Sequence, residues 1–208
     1  MEYEFTNKWF RNSSTFPVWE IILREWKPER IIEIGCYEGQ CTSYMVEKND
    51  WSDDVKLWAV DTWEGSMEHT DINMSEVEKR FDKNIELANK KASRKTNVVK
   101  EKMYSHQFMS AMMNGYEDKI DLIYIDGSHT APDVLLDATL AFKLIRPGGV
   151  IIFDDWHWKP WGDERFNNPN NTPKVAIDAF VNINWDKLSI INLGNKTALD
   201  QLFIKKNM

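Results

Sequence analysis

Two short runs of apolar, largely β-branched residues, 120–125 and 150–153, each stop abruptly at acid: Asp126 after the first, Asp154 and Asp155 after the second. Apolar runs of this length suit strands buried on both faces. Between them, residues 131–144 carry a helical pattern, and Pro147-Gly148-Gly149 reads as a helix stop followed by a tight turn. The unit is strand–helix–strand, and a right-handed crossover makes its strands parallel. The same alternation recurs upstream. A helix over 17–27 places Trp19, Ile22 and Trp26 on one face, and RIIEI at 30–34 is a strand. A helix follows from about 40 to 48, then a strand over 55–60 ending at Asp61. A long helix is expected over 75–92, with Ser75 as cap and Glu78 at the capping-box position. A weaker strand at 97–100 leads to a helix over 105–114. Downstream come a helix at 172–182 and two strands, 188–193 and 198–204, pairing as a hairpin around Gly194-Asn195. The repeated strand–helix order predicts an α/β, Rossmann-like doubly wound sheet, mostly parallel, and the hairpin predicts an antiparallel C-terminal edge.

The 208 residues suit one main domain over 30–208, preceded by an N-terminal helical segment, 1–29. That segment, with Trp9, Phe10, Phe16 and Trp19, reads either as a lid or as a contact in a homo-oligomer. A net charge of −7 speaks against a sequence-independent grip on nucleic acid or an anionic membrane. Two cysteines make no disulfide framework, and no His/Cys spacing points to structural zinc. No apolar run approaches the roughly 18–20 residues needed to span a bilayer. The first residues lack the basic start and apolar centre of a signal peptide, so the expectation is a cytoplasmic protein.

Chemistry concentrates at the strand ends. Parallel strands release their C-terminal residues at one sheet edge, where open α/β sheets bind ligands. Asp126, Asp154 and Asp155 should therefore converge, and such anions repel unless a hard divalent cation sits among them. The plainer reading makes one acid a turn cap and its neighbour a solvated charge. At the first strand–helix junction, Glu33, Gly35 and Gly39 form G-x-x-x-G preceded by an acid. A pyrophosphate-binding G-x-G-x-x-G would suit phosphate; this loop suits an amine, unless it is simply a tight turn. Asp61, at the end of the second strand, can accept both hydroxyls of a ribose or cap a turn. Together the two junctions fit S-adenosylmethionine better than a nicotinamide dinucleotide. His129, three residues past Asp126, is either a general base or a helix-start histidine. The aromatic stretch 156–168 could stack on a flat or sugar-like substrate, with Arg165 for a substrate anion, or plug the sheet edge. His157 is a second base candidate.

EIGCYEGQCT, VDTWEGS, IDLIYIDGSHTAPDV and IRPGGVIIFDDW, in this order and spacing, resemble the class I S-adenosylmethionine-dependent methyltransferases. More narrowly they are similar to bacterial metal-dependent O-methyltransferases of macrolide-sugar and aminocoumarin-sugar type, over residues 30–181. The resemblance implies a seven-stranded sheet with the last strand antiparallel. It implies that Glu33, Gly35, Tyr37 and Gly39 line the methionine end of the cofactor, and that Asp61 takes the ribose hydroxyls beside Thr62 and Trp63. Tyr104 and Ser105 would flank the adenine, and Asp126 would border the cofactor as well. Asp126, Asp154 and Asp155 match the family's magnesium ligands, and His129 stands where relatives keep a general base. The chain departs from the pattern at Tyr37, where many relatives have a middle glycine, and at Gln40 and Cys41, where they have small residues. The implied activity is Mg-assisted methyl transfer to a hydroxyl of a small molecule, sugar or phenolic. The rivals are a metal-independent enzyme acting on nitrogen or carbon, a non-catalytic cofactor-binding module, and a nicotinamide-dependent oxidoreductase.

Overall fold

The computed structural model describes residues 2–13, 15–66, 69–159, 162–191 and 200–208. The chain forms two compact units, Met1–Tyr104 and Ser105–Met208. In the first, β1 (Arg30–Ile34), β2 (Val55–Asp61) and β3 (Thr96–Lys102) run parallel in the order β3-β2-β1. Ile31, Ile32, Leu57 and Ala59 are buried because β1 and β2 carry apolar side chains on both faces. β3 is longer than its apolar centre suggests, and its half-exposed TNVVKEK is a polar edge strand.

Four helices accompany these strands. α1 (Trp9–Asn12) is a single turn, too short to leave a periodic signal. α2 (Phe16–Trp26) buries Val18, Trp19, Ile22 and Leu23, each large side chain contributing about 1.5–3 kcal/mol of transfer free energy. α3 (Gln40–Lys48) is buried throughout its first seven residues and starts at Gly39, in the left-handed region at φ 76°. α4 (Met74–Lys91) buries Val77, Phe81, Asn84, Ile85 and Ala88, one face of an 18-residue helix. Its cap is Asn73, whose side chain accepts the Ser75 backbone N–H, so Ser75 lies inside the helix it was expected to cap.

In the second unit, β4 (Ile120–Ile125) and β5 (Ile145–Phe153) are parallel, as the strand–helix–strand reading requires. β7 (Leu202–Lys206) pairs antiparallel with β5, and β6 (Leu188–Ile190) antiparallel with β7, giving the order β4-β5-β7-β6. The two units thus hold the seven strands of a mixed α/β sheet of the expected Rossmann-like class. The expected hairpin tip at Gly194-Asn195, and the adjoining ends of its strands, lie outside the described residues. Pro147-Gly148-Gly149 does not separate helix from strand. It is an irregularity inside β5, where pairing jumps from Ile120↔Ile145 to Leu122↔Val150. Proline offers no ladder N–H, and a Cβ on Gly149 would lie 2.8 Å from Ile145 Cγ1, so the bulge suits these residues.

α5 (Ser105–Tyr116), α6 (Ala131–Leu144) and α7 (Lys174–Ile183) complete this unit, with 3-10 turns at Glu164–Asn167 and Pro169–Asn171. α6 buries Ala131, Ala138 and Ala141, small residues that let a helix lie close against a sheet. Among the described residues, no helix is long and apolar enough to cross a membrane.

Candidate functional site

The β1–α3 loop of the first unit is held in left-handed conformations at Gly35 (φ 81°), Tyr37 (φ 48°) and Gly39 (φ 76°). Tyr37 is the unusual member, since a Cβ opposes that region by about 1–2 kcal/mol. Hydrogen bonds to the Asp61 carboxylate at the tip of β2 explain how it is kept there. Asp61 Oδ2 accepts the backbone N–H of Cys36 at 2.8 Å and of Tyr37 at 3.0 Å, and Oδ1 accepts that of Trp63 at 2.7 Å. The Trp63 indole N–H donates to the Tyr37 carbonyl at 3.0 Å. One carboxylate therefore ties the glycine loop to the β2 exit. Thr62 lies half-buried between Asp61 and Trp63.

Glu33, expected beside a cofactor amine, is almost wholly buried and accepts the Thr42 hydroxyl at 2.6 Å. Tyr104 is exposed and donates to Glu64 at 3.1 Å, which raises its pKa through that hydrogen bond. Ser105 belongs to the second unit and donates to the buried Asp137 at 2.7 Å. Of the expected cofactor residues, Gly35, Tyr37, Gly39, Asp61, Thr62 and Trp63 gather around one loop, with Tyr104 reaching Glu64 at its margin; Glu33 turns to Thr42, and Ser105 and Asp126 belong to the second unit. The loop's other anchor, Glu38, gave no signal in the sequence because its partners, Thr6 and Arg80, are distant in the chain.

In the second unit the parallel pairing Ile125↔Phe153 delivers Asp126 and the Asp154-Asp155 pair to one edge, and the Asp154 N–H donates to the Ile125 carbonyl at 2.9 Å. One ligand atom each from Asp126, His129 and Asp155 lies within 4.8 Å of the others. His129 Nε2 is 2.8 Å from Asp155 Oδ2 and 3.9 Å from Asp126 Oδ1. Asp155 reaches this position with φ 55°, a strained conformation of the kind that marks functional sites. Asp154 stands apart from that trio. The Tyr124 hydroxyl bridges Asp126 Oδ2, at 3.0 Å, and Asp154 Oδ2, and accepts from Gln201 at 3.3 Å.

Electrostatics follow from the crowding. Burial, with the Asp155 charge, pushes the Asp126 carboxyl up to about 6 against the opposing pull of His129. Burial and the charges of Asp126 and Asp155 hold Asp154 well above the usual carboxylate range. Both shifts have the sign expected of crowded like charges with no countercharge among them. The aromatic stretch closes over one side: the Trp158 ring lies 4.5 Å from His129 and meets Phe166 edge-on at 5.0 Å. Trp156 donates its indole N–H to Asp178 at 2.8 Å. Arg165, expected to meet a substrate anion, is paired with Asp163 at 2.7 Å. His157 is exposed and packs on Trp156. Tyr124 was hidden in the sequence by its place inside an apolar strand.

A family profile described as "Methyltransferase domain" matches residues 32–156. The chain is 28% identical over 133 residues to the uncharacterized protein R132 of Acanthamoeba polyphaga mimivirus, covering 62% of this chain and 53% of that protein. It is 25% identical over 166 residues, 74% of this chain, to the uncharacterized protein y4gI of Sinorhizobium fredii, but spans only 17% of it. The chain therefore spans about half or less of the length of these relatives. Among solved structures it resembles the O-methyltransferase TomG of Streptomyces achromogenes, solved with S-adenosylmethionine, at a TM-score of 0.66 and 16% identity, over 92% of this chain and 78% of that one. It resembles the methyltransferase MycE of the mycinamycin pathway, solved with Mg, S-adenosylhomocysteine and mycinamycin VI, at a TM-score of 0.53 and 16% identity, over 93% and 49% of the two chains. At these identities the likeness is one of fold.

Proposed function

This chain belongs to the methyltransferase-domain family, of the class I S-adenosylmethionine-dependent type, and on that premise we propose that it methylates a hydroxyl group of a small molecule with the help of a divalent cation, Mg²⁺. The observation that carries the proposal is the convergence of Asp126, His129 and Asp155 within 4.8 Å. Two carboxylates offer the hard oxygen donors that magnesium prefers, and the upward push on Asp126 and Asp154 marks a place where added positive charge is favourable. Asp126 and Asp155 would hold the cation, with Asp154 next to Asp126 through Tyr124. When bound, the cation supplies Lewis acidity and a template for the acceptor oxygen.

The remaining work falls to side chains. Asp155 holds His129 through Nε2, and the imidazole would take the acceptor's proton. S-adenosylmethionine, when bound, would supply the methyl group: the acceptor oxygen would take it, giving a methyl ether, and the carbon–sulfur bonding pair would leave with S-adenosylhomocysteine. Glu33, Gly35, Tyr37 and Gly39, with Asp61, Thr62 and Trp63, would bind the cofactor, Asp61 keeping a lone pair on Oδ1 for a ribose hydroxyl while it fixes the loop. Trp158, packed against His129, would exclude water and offer a stacking face for a sugar or phenolic acceptor. Isothermal titration should register binding of S-adenosylhomocysteine and of Mn²⁺ as a magnesium surrogate, the latter lost in Asp155→Asn. Methyl transfer to a panel of sugar and phenolic hydroxyl compounds should stop with EDTA and return with Mg²⁺; turnover indifferent to chelation removes the cation from the reading.

A further inference from the structure

Glu38 is the most completely enclosed carboxylate of the first unit that the proposed chemistry leaves without a task, at 2% exposure. It is not left uncompensated. Its Oε1 accepts Arg80 Nε of α4 at 2.6 Å and the Thr6 hydroxyl at 2.8 Å, and its Oε2 accepts the Thr6 backbone N–H at 2.7 Å. Its own carbonyl accepts the Asn84 side-chain amide at 2.9 Å, and Asn84 in turn accepts the Glu4 backbone N–H at 2.8 Å. Two residues on, Gln40 donates to the Asn7 carbonyl at 2.9 Å and accepts the Arg11 N–H at 3.1 Å. Tyr37, just before Glu38, has the Trp9 ring 5.5 Å away and the His69 ring stacked at 5.3 Å. Residues 4–9 bury no large apolar side chain of their own. Phe10 anchors the far end of the stretch against Phe16, Trp19 and Tyr44; residues 4–9 are held by polar contacts, whose partners cluster on loop residues 38–40 and on Asn84 of α4.

A buried carboxylate is tolerated only while its donors stay in place, so loop and N-terminal stretch hold one another. We propose that residues 4–11 form a strap that sets cofactor affinity, with Glu38 as the positioning residue that transmits its hold to the loop. The strap supplies two of the three hydrogen bonds to the Glu38 carboxylate. It thereby braces the loop that must keep Tyr37 at positive φ and present its backbone to a ligand. Losing the strap releases the loop, and a ligand must then order it at the expense of affinity. The inference rests on the reading that this loop binds S-adenosylmethionine or its demethylated product.

Thermodynamic reciprocity supplies a test that a merely structural anchor would not pass. If the strap tightens cofactor binding, the cofactor must tighten the strap by the same factor. Lys8 and Arg11, both exposed on the strap, are trypsin sites. S-adenosylhomocysteine at saturation should slow cleavage there at least fivefold in the wild-type chain, and should not in Glu38→Gln. By titration, Thr6→Pro, which removes the N–H donor, and Glu38→Gln should each raise the Kd for S-adenosylhomocysteine tenfold or more. KM for S-adenosylmethionine should rise in step and kcat change less than threefold. Thr6→Ser should restore wild-type behaviour. Should those variants fail to fold by circular dichroism, Thr6→Val, which removes only the hydroxyl, should still raise Kd at least threefold. Equal affinity in the folded variants, or cleavage blind to the cofactor, overturns the strap while leaving the cofactor reading standing. A wild-type chain that does not bind S-adenosylhomocysteine overturns both.

Discussion

Asp137 shows how one side chain can dominate pH dependence. It lies inside α6 at 2% exposure, with the Ser105 hydroxyl donating to it, and burial pushes its carboxyl up to about 7. An unfolded aspartate titrates near 3.9, so in the window from about 4 to 7 the folded chain holds a proton that the unfolded chain has released. The stabilisation is complete below the unfolded value and is lost as pH rises through about 7; it amounts to about 4 kcal/mol at the outside. Asp126 and Asp154 act with the same sign, so the wild-type melting temperature should fall between pH 5 and 7.5. Asp137→Asn should flatten part of that fall and melt higher than wild type at pH 8. A wild-type slope retained in full by the variant removes Asp137 as its source. His129 calls for a different measurement, because a base and a cation ligand would sit at the same distance from Asp155. As base, His129→Ala should lower kcat by about 10²–10⁴-fold and leave Mn²⁺ affinity within threefold. A tenfold loss of Mn²⁺ affinity would make the imidazole a ligand instead.

At the scale of elements, what the sequence discloses depends on whether the signal is local. β1, β2, β4 and α6 are legible because each is a single run with its own periodicity. The convergence of Asp126 with Asp155 is legible too, since it needs only parallel pairing of two neighbouring strands. β3 is under-read, its outer residues being polar where an edge strand meets solvent. The P-G-G bulge is misread because a break in helical periodicity and an irregularity in a ladder use the same residues. Glu38 and Asn84 are opaque for another reason: each acquires its role from partners tens of residues away. The meeting of α4 with the loop is one such distant contact. A Cβ on Gly39 would come within 2.9 Å of Phe81 Cδ2, at a φ that already disfavours any side chain. Gly39→Ala should therefore cost about 2 kcal/mol or more by chemical denaturation and weaken S-adenosylhomocysteine binding. Adding Phe81→Leu should recover only the steric part, because the backbone conformation is unchanged. Full recovery in the double variant would mean that φ carries no penalty here.

For the molecule as a whole, the proposed cation site predicts an exchange of stability for binding. A net charge of −7 and three crowded carboxylates oppose the folded state when nothing positive is bound. Removing one of those charges should then stabilise the cation-free chain, the reverse of the usual result of altering a native side chain. Asp126→Asn is the informative variant, since it keeps the shape and imitates the protonated carboxyl that the site favours. In EDTA at pH 8 its melting temperature should exceed that of wild type. Adding Mg²⁺ at about 100 times its Kd should stabilise wild type by about 2.7 kcal/mol, a rise of about 5–10 °C for a chain of this size. The same addition should leave Asp126→Asn within a degree. The two curves should cross: the variant melts higher without the cation, and wild type melts higher with it. An equal Mg²⁺ shift in both chains would place the ion elsewhere on the surface, and a less stable variant in EDTA would mean that Asp126 serves the fold rather than the cation.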